Sequence, residues 1–594
     1  MMNRKSPVWR HFTPPAKDDD ERQYVVCKRC GDKLSYHATT SNLLAHIKRR
    51  HVTICLNPDN RSDLDESSSK QSKLELIRPI LPAQQEKITS LVVDFIVKDM
   101  RPLSTIEGTH FKRLMGHVAP NYSLPSRRTI TRRVEEEYCE KKMELKRVLE
   151  NIKHMSLTFD AWTSVKMEAY LGITAHYVDA KFNLCSCVLS VKPLDDRHTA
   201  KNICEWVEEV LNDFGVSPHA VCAAVSDNGS NMKAAKDIFH EKFGWASVAC
   251  AAHTLQLCLN KGLGINGIEK PLAAARRLVQ HFKRSELATS ALGKKCEEMK
   301  LTSKRLIMDV STRWNSTYNM LVRLQELQWP ILAILGNKNI TNATKASALT
   351  IKPGDWEIFK QLIPVLEPFA EATDLLGGEK YVSISIKNPY IKGLKKHLSR
   401  EKDDELLVIR QFRQKVKGEM EERFPIDLND ISSKAMALDP RYKLRGLRTV
   451  ESLQLKSAIE LELTVLFEQT VVEKAEPSSS SVQQSTSIIS LAFESSESDD
   501  SADTEVPVVA NEVNKFFSSK VLSECSNPLT WWKEQNANYP NLSKLVGKYM
   551  CVTATSTPSE RLFSAAGNTA TELRSSLTGS HVEALVFLKC NSDI

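Results

Sequence analysis

Cys27 and Cys30 are followed by His46 after fifteen intervening residues and by His51 after four more. Two thiolates and two imidazoles at Cx2C…Hx4H spacing are the donor set of a closed, tetrahedral structural zinc site. The surrounding residues agree, because QYVVCKRCGDKLSY reads as a strand pair and TTSNLLAHIKRRH as a helix with both histidines on one face. Zinc there would serve folding, since ~50 residues rarely bury enough core alone. Lys48, Arg49 and Arg50 stand beside the histidines, positioned for phosphates. Thr40, Ser41 and Asn42, nearer the helix start, are the candidates for base edges.

A second constellation is acidic. Asp160 ends the strand-like run LTFDAWTS, and Asp227 ends AVCAAVSDNGSNM. Carboxylates at the ends of neighbouring strands can converge on hard divalent cations such as Mg2+. Two such ions about 3.5–4 Å apart activate a water and stabilise a leaving oxygen in phosphoryl transfer. Local chemistry offers another account of each acid: Asp227-Asn228-Gly229 makes a good turn, and an Asp after a strand often caps a helix. Thr557-Pro558-Ser559-Glu560 reads as a helix start, with Thr557 as N-cap and Glu560 closing a capping box. Cys250 and His253 could pass for half of a zinc site, but no second pair follows at zinc spacing, and VACAAHTLQLC reads as an apolar strand entering a helix. Trp314 reads as a core aromatic of the helix after Arg313.

These residues need a scaffold to position them. The chain has 594 residues, enough for about four domains. With 41% hydrophobic and 26% charged residues it has the balance of folded protein, which excludes a mainly disordered or collagen-like chain. No apolar run is long enough to span a membrane, and no apolar stretch follows the basic start as a secretory leader would require. Fourteen cysteines are too dilute for a disulfide scaffold, so they are expected to be thiols and metal ligands inside the cell. The net charge of +8 conceals a seven-acid, base-free stretch from Glu476 to Glu505, which leaves the remainder at +15. Between Gly108 and Val134 six bases occur without an acid, among them Arg127, Arg128, Arg132 and Arg133. Such a cluster either attracts a polyanion or forms a solvated helix face.

Residues 83–150 have helical periodicity. Strand-like runs at MSLTFDAW, AYLGITAHYVD, NLCSCVLSV and HAVCAAVSD follow, with a helix, AKNICEWVEEVLNDF, before the fourth. Helices dominate from Leu255 to about Phe467. The Ser/acid tract has too little apolar surface to offset its ordering entropy and is expected to be disordered.

Two resemblances organise these pieces. Trp9-Arg10-His11-Phe12, Cys27/Cys30, Ser41-Asn42-Leu43 and His46/His51 resemble the BED-type zinc finger over residues 6–55. Asp160-Ala-Trp-Thr-Ser, Ser226-Asp227-Asn-Gly-Ser-Asn-Met, Cys250-Ala-Ala-His253 and Thr312-Arg313-Trp314-Asn315-Ser316 resemble, in that order, the hAT superfamily of DNA transposases. NPLTWWKEQ, KYMCVTATSTPSERLFSAAG and HVEALVFLK look like that family's C-terminal dimerisation segment, so the likeness covers about residues 85–594. The resemblance implies an α/β plus α fold: a small ββα-type finger and a ribonuclease-H-like mixed core interrupted by a large helical insertion domain. It divides the chain into a finger (1–55), a linker (56–82), a basic helical domain (83–150), the core (151–262), the insertion (263–475), the acidic tract (476–507) and the dimerisation segment completing the core (508–594).

By resemblance Glu560 is the third catalytic acid beside Asp160 and Asp227, holding two Mg2+. Cys250 and His253 neighbour the active centre, and Trp314 stacks on a base extruded at a DNA hairpin, a contact worth about 1–3 kcal/mol. The implied chemistry is water attack on one strand, hairpin formation on the flanking DNA, and attack of the element's 3′ hydroxyls on target DNA. The implied partners are double-stranded DNA and a second copy of the chain, with neither a membrane nor a small-molecule substrate, in the nucleus. The zinc finger BED domain-containing proteins share this layout and imply an alternative: a catalytically silent transcription regulator, some of that group being SUMO ligases.

Overall fold

The computed structural model describes residues 7–18, 22–36, 39–51, 80–163, 168–194, 196–310, 313–474, 505–569 and 579–592. Most of the expected linker (through 79), Thr312, the Lys48 side chain and the acidic tract up to 504 lie outside the described residues. The last residues assigned to that tract, 505–507, are helical, because the helix Glu505–Ser518 begins there.

The chain divides into two units, Met1–Arg78 and Pro79–Ile594. In the first, strands β1 (Ala16–Lys17), β2 (Gln23–Val26) and β3 (Lys33–Ser35) pair antiparallel, and helix α1 (Ser41–Arg50) follows. Gly31, at φ +76°, makes the tight turn between β2 and β3 that a side chain would strain. Val8, Phe12, Val25, Leu43 and Ile47 bury a core too small to stand without a further tie.

The second unit opens with helices α2 (Pro82–Lys98), α3 (Thr109–Val118) and α4 (Arg127–Leu149). A five-stranded sheet follows, made of β4 (Met155–Thr163), β5 (Ala169–Val178), β6 (Leu184–Leu194), β7 (Val221–Ser226) and β8 (Ala246–Ala249). Its spatial order is β6-β5-β4-β7-β8. The first three strands are antiparallel hairpin neighbours, whereas β7 and β8 add parallel, reached through helices α5 (Ala200–Asp213) and α6 (Ser230–Phe243). The expected mixed core is thus present.

Alternation along β4 gives the sheet two unlike faces. Met155, Leu157 and Phe159 are fully buried, Phe159 packing edge-on to Phe239 of α6 at 6.1 Å. Ser156, Thr158 and Asp160 point the other way, toward the returning C-terminal chain. Helix α7 (Ala251–Leu263) leads from β8 into a helical region whose core includes Phe359, Phe369 and Phe412. The helix Thr557–Thr569 then returns to β4 and β5, and the helix Gly579–Cys590 lies on β6. Asn591 fixes that return, its side chain accepting from Val188 N and donating to Val188 O, each at 2.9 Å, where β6 bulges out of register.

Candidate metal centre and acidic site

In the finger, Cys27 Sγ lies 3.4 Å from His51 Nε2, and Cys30 Sγ lies 3.2 Å from His46 Nε2. The four donor atoms all fall within 4.8 Å of one another. Zinc bonds of about 2.3 Å to sulfur and about 2.0 Å to nitrogen, at tetrahedral angles, place S and N roughly 3.5 Å apart. Donor chemistry and spacing therefore fit a structural zinc ion. Helix spacing puts His46 on the buried face of α1, where its ring meets Phe12 edge-on at 5.9 Å. Among the residues expected at DNA, Ser41, Arg49 and Arg50 are exposed, and the Thr40 side chain makes no capping hydrogen bond. Asn42 differs from expectation: its amide donates to Ser35 O, tying α1 to β3, and its Oδ1 is buried.

At the acidic site, register decides the geometry. Thr158 of β4 lies opposite Val225 of the parallel β7, so Asp160 and Asp227, each two residues further on, stand where β7 ends. Asp160 Oδ1 accepts from Ala161 N at 2.8 Å and Asp227 Oδ1 from Gly229 N at 3.0 Å, so each carboxylate has a backbone donor beside the C-terminal end of β7. Burial, then the nearby charges of Asp227 and Glu560, push the Asp160 carboxyl up to about 7. Asp160 thus lies within reach of both other charges, although Glu560 comes from a sequence position 400 residues away. Oxygen donors of this kind suit Mg2+. Among the described residues, however, only the finger's four ligands lie close enough together to close around an ion.

Glu560 is exposed on the helix Thr557–Thr569. That helix begins at Thr557 itself, one residue earlier than the capping box requires. Among the described residues no hydrogen bond runs from the Glu560 carboxylate to the first turn, so the capping arrangement is not formed. Glu560 instead lines a groove with His253, Gln256, Arg313, Asn315 and Arg561. Cys250 is fully buried at the start of α7, and burial pushes its thiol up, as expected of a packing residue. Trp314 borders the same groove but is only 2% exposed and packs edge-on to Phe369 at 6.4 Å. Its observed place is therefore in the helical core.

Of the four arginines expected at DNA outside the finger, Arg133 pairs with Glu86 at 2.7 Å and Arg132 with Glu136 at 3.5 Å. Arg127 and Arg128 open α4, whose N-terminus Ser126 caps by accepting from Thr129 N at 3.2 Å. A helix N-terminus carrying two arginines without ion pairs among the described residues is an anion-attracting end.

Three contributors were missed from sequence. Gly172 lies opposite Asp160 on β5, and a Cβ there would stand 2.9 Å from Phe563. Arg561 ties the Glu560 helix to the helical region through Gly377 O at 3.0 Å and through Glu379. Lys236, buried in α6, donates to Val248 O at 2.9 Å, and burial pushes it down to about 8. Of these only Gly172, a glycine inside a strand pattern, leaves a sequence signal.

Four known families match in chain order. The BED zinc finger covers residues 6–52, the ZBED1 RNase-like domain 158–251, the ZBED1 RNase-like helical domain 248–362, and the hAT family C-terminal dimerisation region 512–592. The chain therefore carries a BED zinc finger at one end and a hAT-family C-terminal dimerisation region at the other. The chain is 26% identical over 632 residues to human Zinc finger BED domain-containing protein 4, the match covering 99% of this chain and 52% of that one. It is 25% identical over 631 residues to the Putative AC transposase of Zea mays, covering 98% and 75%. It is 23% identical over 646 residues to the Putative transcriptional regulator tpeD of Talaromyces stipitatus, covering 99% and 72%. The chain thus spans about half the length of the human relative. Among the described residues no helix is long and apolar enough to cross a membrane.

Proposed function

We propose that this protein binds specific DNA in the nucleus as a dimer or higher oligomer and performs Mg2+-dependent strand cleavage and transfer. The observation that carries the reading is that Asp160 and Asp227 stand beside the end of β7 within reach of the charge of Glu560, which lines a groove open to solvent. Those three carboxylates would hold the metal, which supplies activation of the attacking water and stabilisation of the leaving oxygen. Asp160 and Asp227 are held in place by their backbone hydrogen bonds, whereas Glu560 is brought in by its helix. The finger and the Arg127/Arg128 end of α4 would hold DNA, the arginines through phosphates.

The test is excision from a donor plasmid bearing the DNA that flanks this gene. Wild-type protein is expected to excise in Mg2+, and Asp227→Asn to bind DNA without cutting. Excision retained by Asp227→Asn would remove the site assignment. A second reading, a DNA-binding regulator that does not cut, draws support from two observations. One relative is named a transcriptional regulator, and the three acids are not within closing distance of one ion. Wild-type protein that binds flanking DNA but cuts nothing would favour it.

A further inference from the structure

A row of buried hydroxyls crosses the sheet face beneath Glu560. His176 Nε2 lies 2.8 Å from Thr174 Oγ1 on β5, and Thr174 Oγ1 lies 2.5 Å from Thr158 Oγ1 on β4. Thr158 Oγ1 in turn lies 2.6 Å from Ser559 Oγ, the residue preceding Glu560. All four side chains are at least 98% buried, in surroundings where each polar atom must find a partner within the protein. Burial pushes His176 down to about 3, so the chain ends on a neutral imidazole at physiological pH. The geometry is directional. Thr158 is two residues before Asp160 on the same strand, hence on the same face, and Ser559 is one residue before Glu560. The hydrogen bond between Thr158 and Ser559 thus joins the strand that holds Asp160 to the helix that holds Glu560.

We propose that Thr158 and Ser559 are positioning residues: their shared hydrogen bond, backed by Thr174 and His176, sets where Glu560 stands relative to Asp160 and Asp227. The inference rests on the reading of those acids as a metal site. A hydroxyl pair suits the task because it accepts one register only. An apolar contact between the same elements would let the helix slide, and a shift of about 1 Å at such a site is enough to cost roughly a hundredfold in rate. The hydroxyls face into the protein while Glu560, the next residue, faces the groove, so the tie leaves the carboxylate free.

The experiment compares full-length wild type with Thr158→Val, which keeps the shape and removes the hydroxyl, Thr158→Ser, which keeps the hydroxyl, and Ser559→Ala. Two readouts are taken: backbone hydrogen exchange of residues 557–569, and Mn2+ affinity by paramagnetic resonance on the zinc-loaded protein. Thr158→Val and Ser559→Ala are expected to exchange at least tenfold faster in that helix and to bind Mn2+ at least fivefold more weakly. Thr158→Ser is expected to match wild type in both. Unchanged exchange and affinity in Thr158→Val and Ser559→Ala would overturn the inference, as would failure of Thr158→Ser to restore them. Should Thr158→Val not fold, Ser559→Ala, altered on the helix side, decides alone. Asp227→Asn separates the two levels. If it binds Mn2+ as wild type does, the metal reading falls, and hydrogen exchange still decides whether the hydroxyl pair fixes the helix.

Discussion

Asp160 is the residue where position most changes chemistry. Its carboxyl, ordinarily ionised above pH 4, is held up to about 7 by burial and by Asp227 and Glu560. The native state therefore keeps a proton that the unfolded chain has released across the window from about pH 4 to 7. Metal-free stability from this group falls as pH rises through that window, and the deficit is complete above it. Asp160→Asn removes the deficit, so at pH 8 without Mg2+ the variant is expected to be more stable by on the order of 3 kcal/mol. Thermal melts at pH 5 and pH 8 check this, and equal stability of variant and wild type at pH 8 would contradict it. At the finger the reasoning runs the other way, because the ion supplies folding energy. Cys30→Ser leaves three donors around a core of six buried side chains. It is expected to release zinc and to abolish sequence-specific DNA binding through that unit, measured by zinc content and by DNA titration.

The elements explain what could be read from sequence and what could not. Strands β4 to β7 fall on the short strand-like runs, and α5 on its helical spacing; burial runs almost unbroken along these strands because the sheet is covered on both faces. The zinc set was legible because four ligands at fixed spacing carry the whole geometry locally. Glu560 was legible only through its motif, since its approach to Asp160 is made by a helix returning after some four hundred residues. Asn42 was placed at base edges by its position near the helix start, but its partner, Ser35 O, is invisible to local pattern; Trp314 packs on Phe369, as its reading as a core aromatic has it, and its place at DNA came from the resemblance alone. Gly172 shows what pattern does not reveal: it is needed for the space above it. Phe563 and Trp162 stack at 5.6 Å over that part of β5, and a methyl at 172 would meet the Phe563 ring. Gly172→Ala is expected to cost about 1–3 kcal/mol by overpacking and to lower strand cleavage more than DNA binding. Denaturant melts and the two activities measured side by side check this.

For the whole molecule, the proposed zinc-bound DNA contact and the proposed cleavage site belong to different units, and the proposed phosphate contact of Arg127 and Arg128 belongs with the acids. The finger is a unit of its own, while the acids belong to the larger unit and need its C-terminal return. The apolar face of the helix Gly579–Cys590, with Val582, Leu585 and Val586 buried, already packs within this chain against α2, α4 and the sheet. The proposed self-association through this region would then use surfaces other than that face. Whether Asp160, Asp227 and Glu560 form one divalent-cation site is decided by anomalous diffraction from crystals soaked in Mn2+. Manganese density is expected between Asp160 and Asp227 with Glu560 turned toward it, lost in Asp227→Asn. Zinc density in the finger with no manganese at the acidic edge would contradict it.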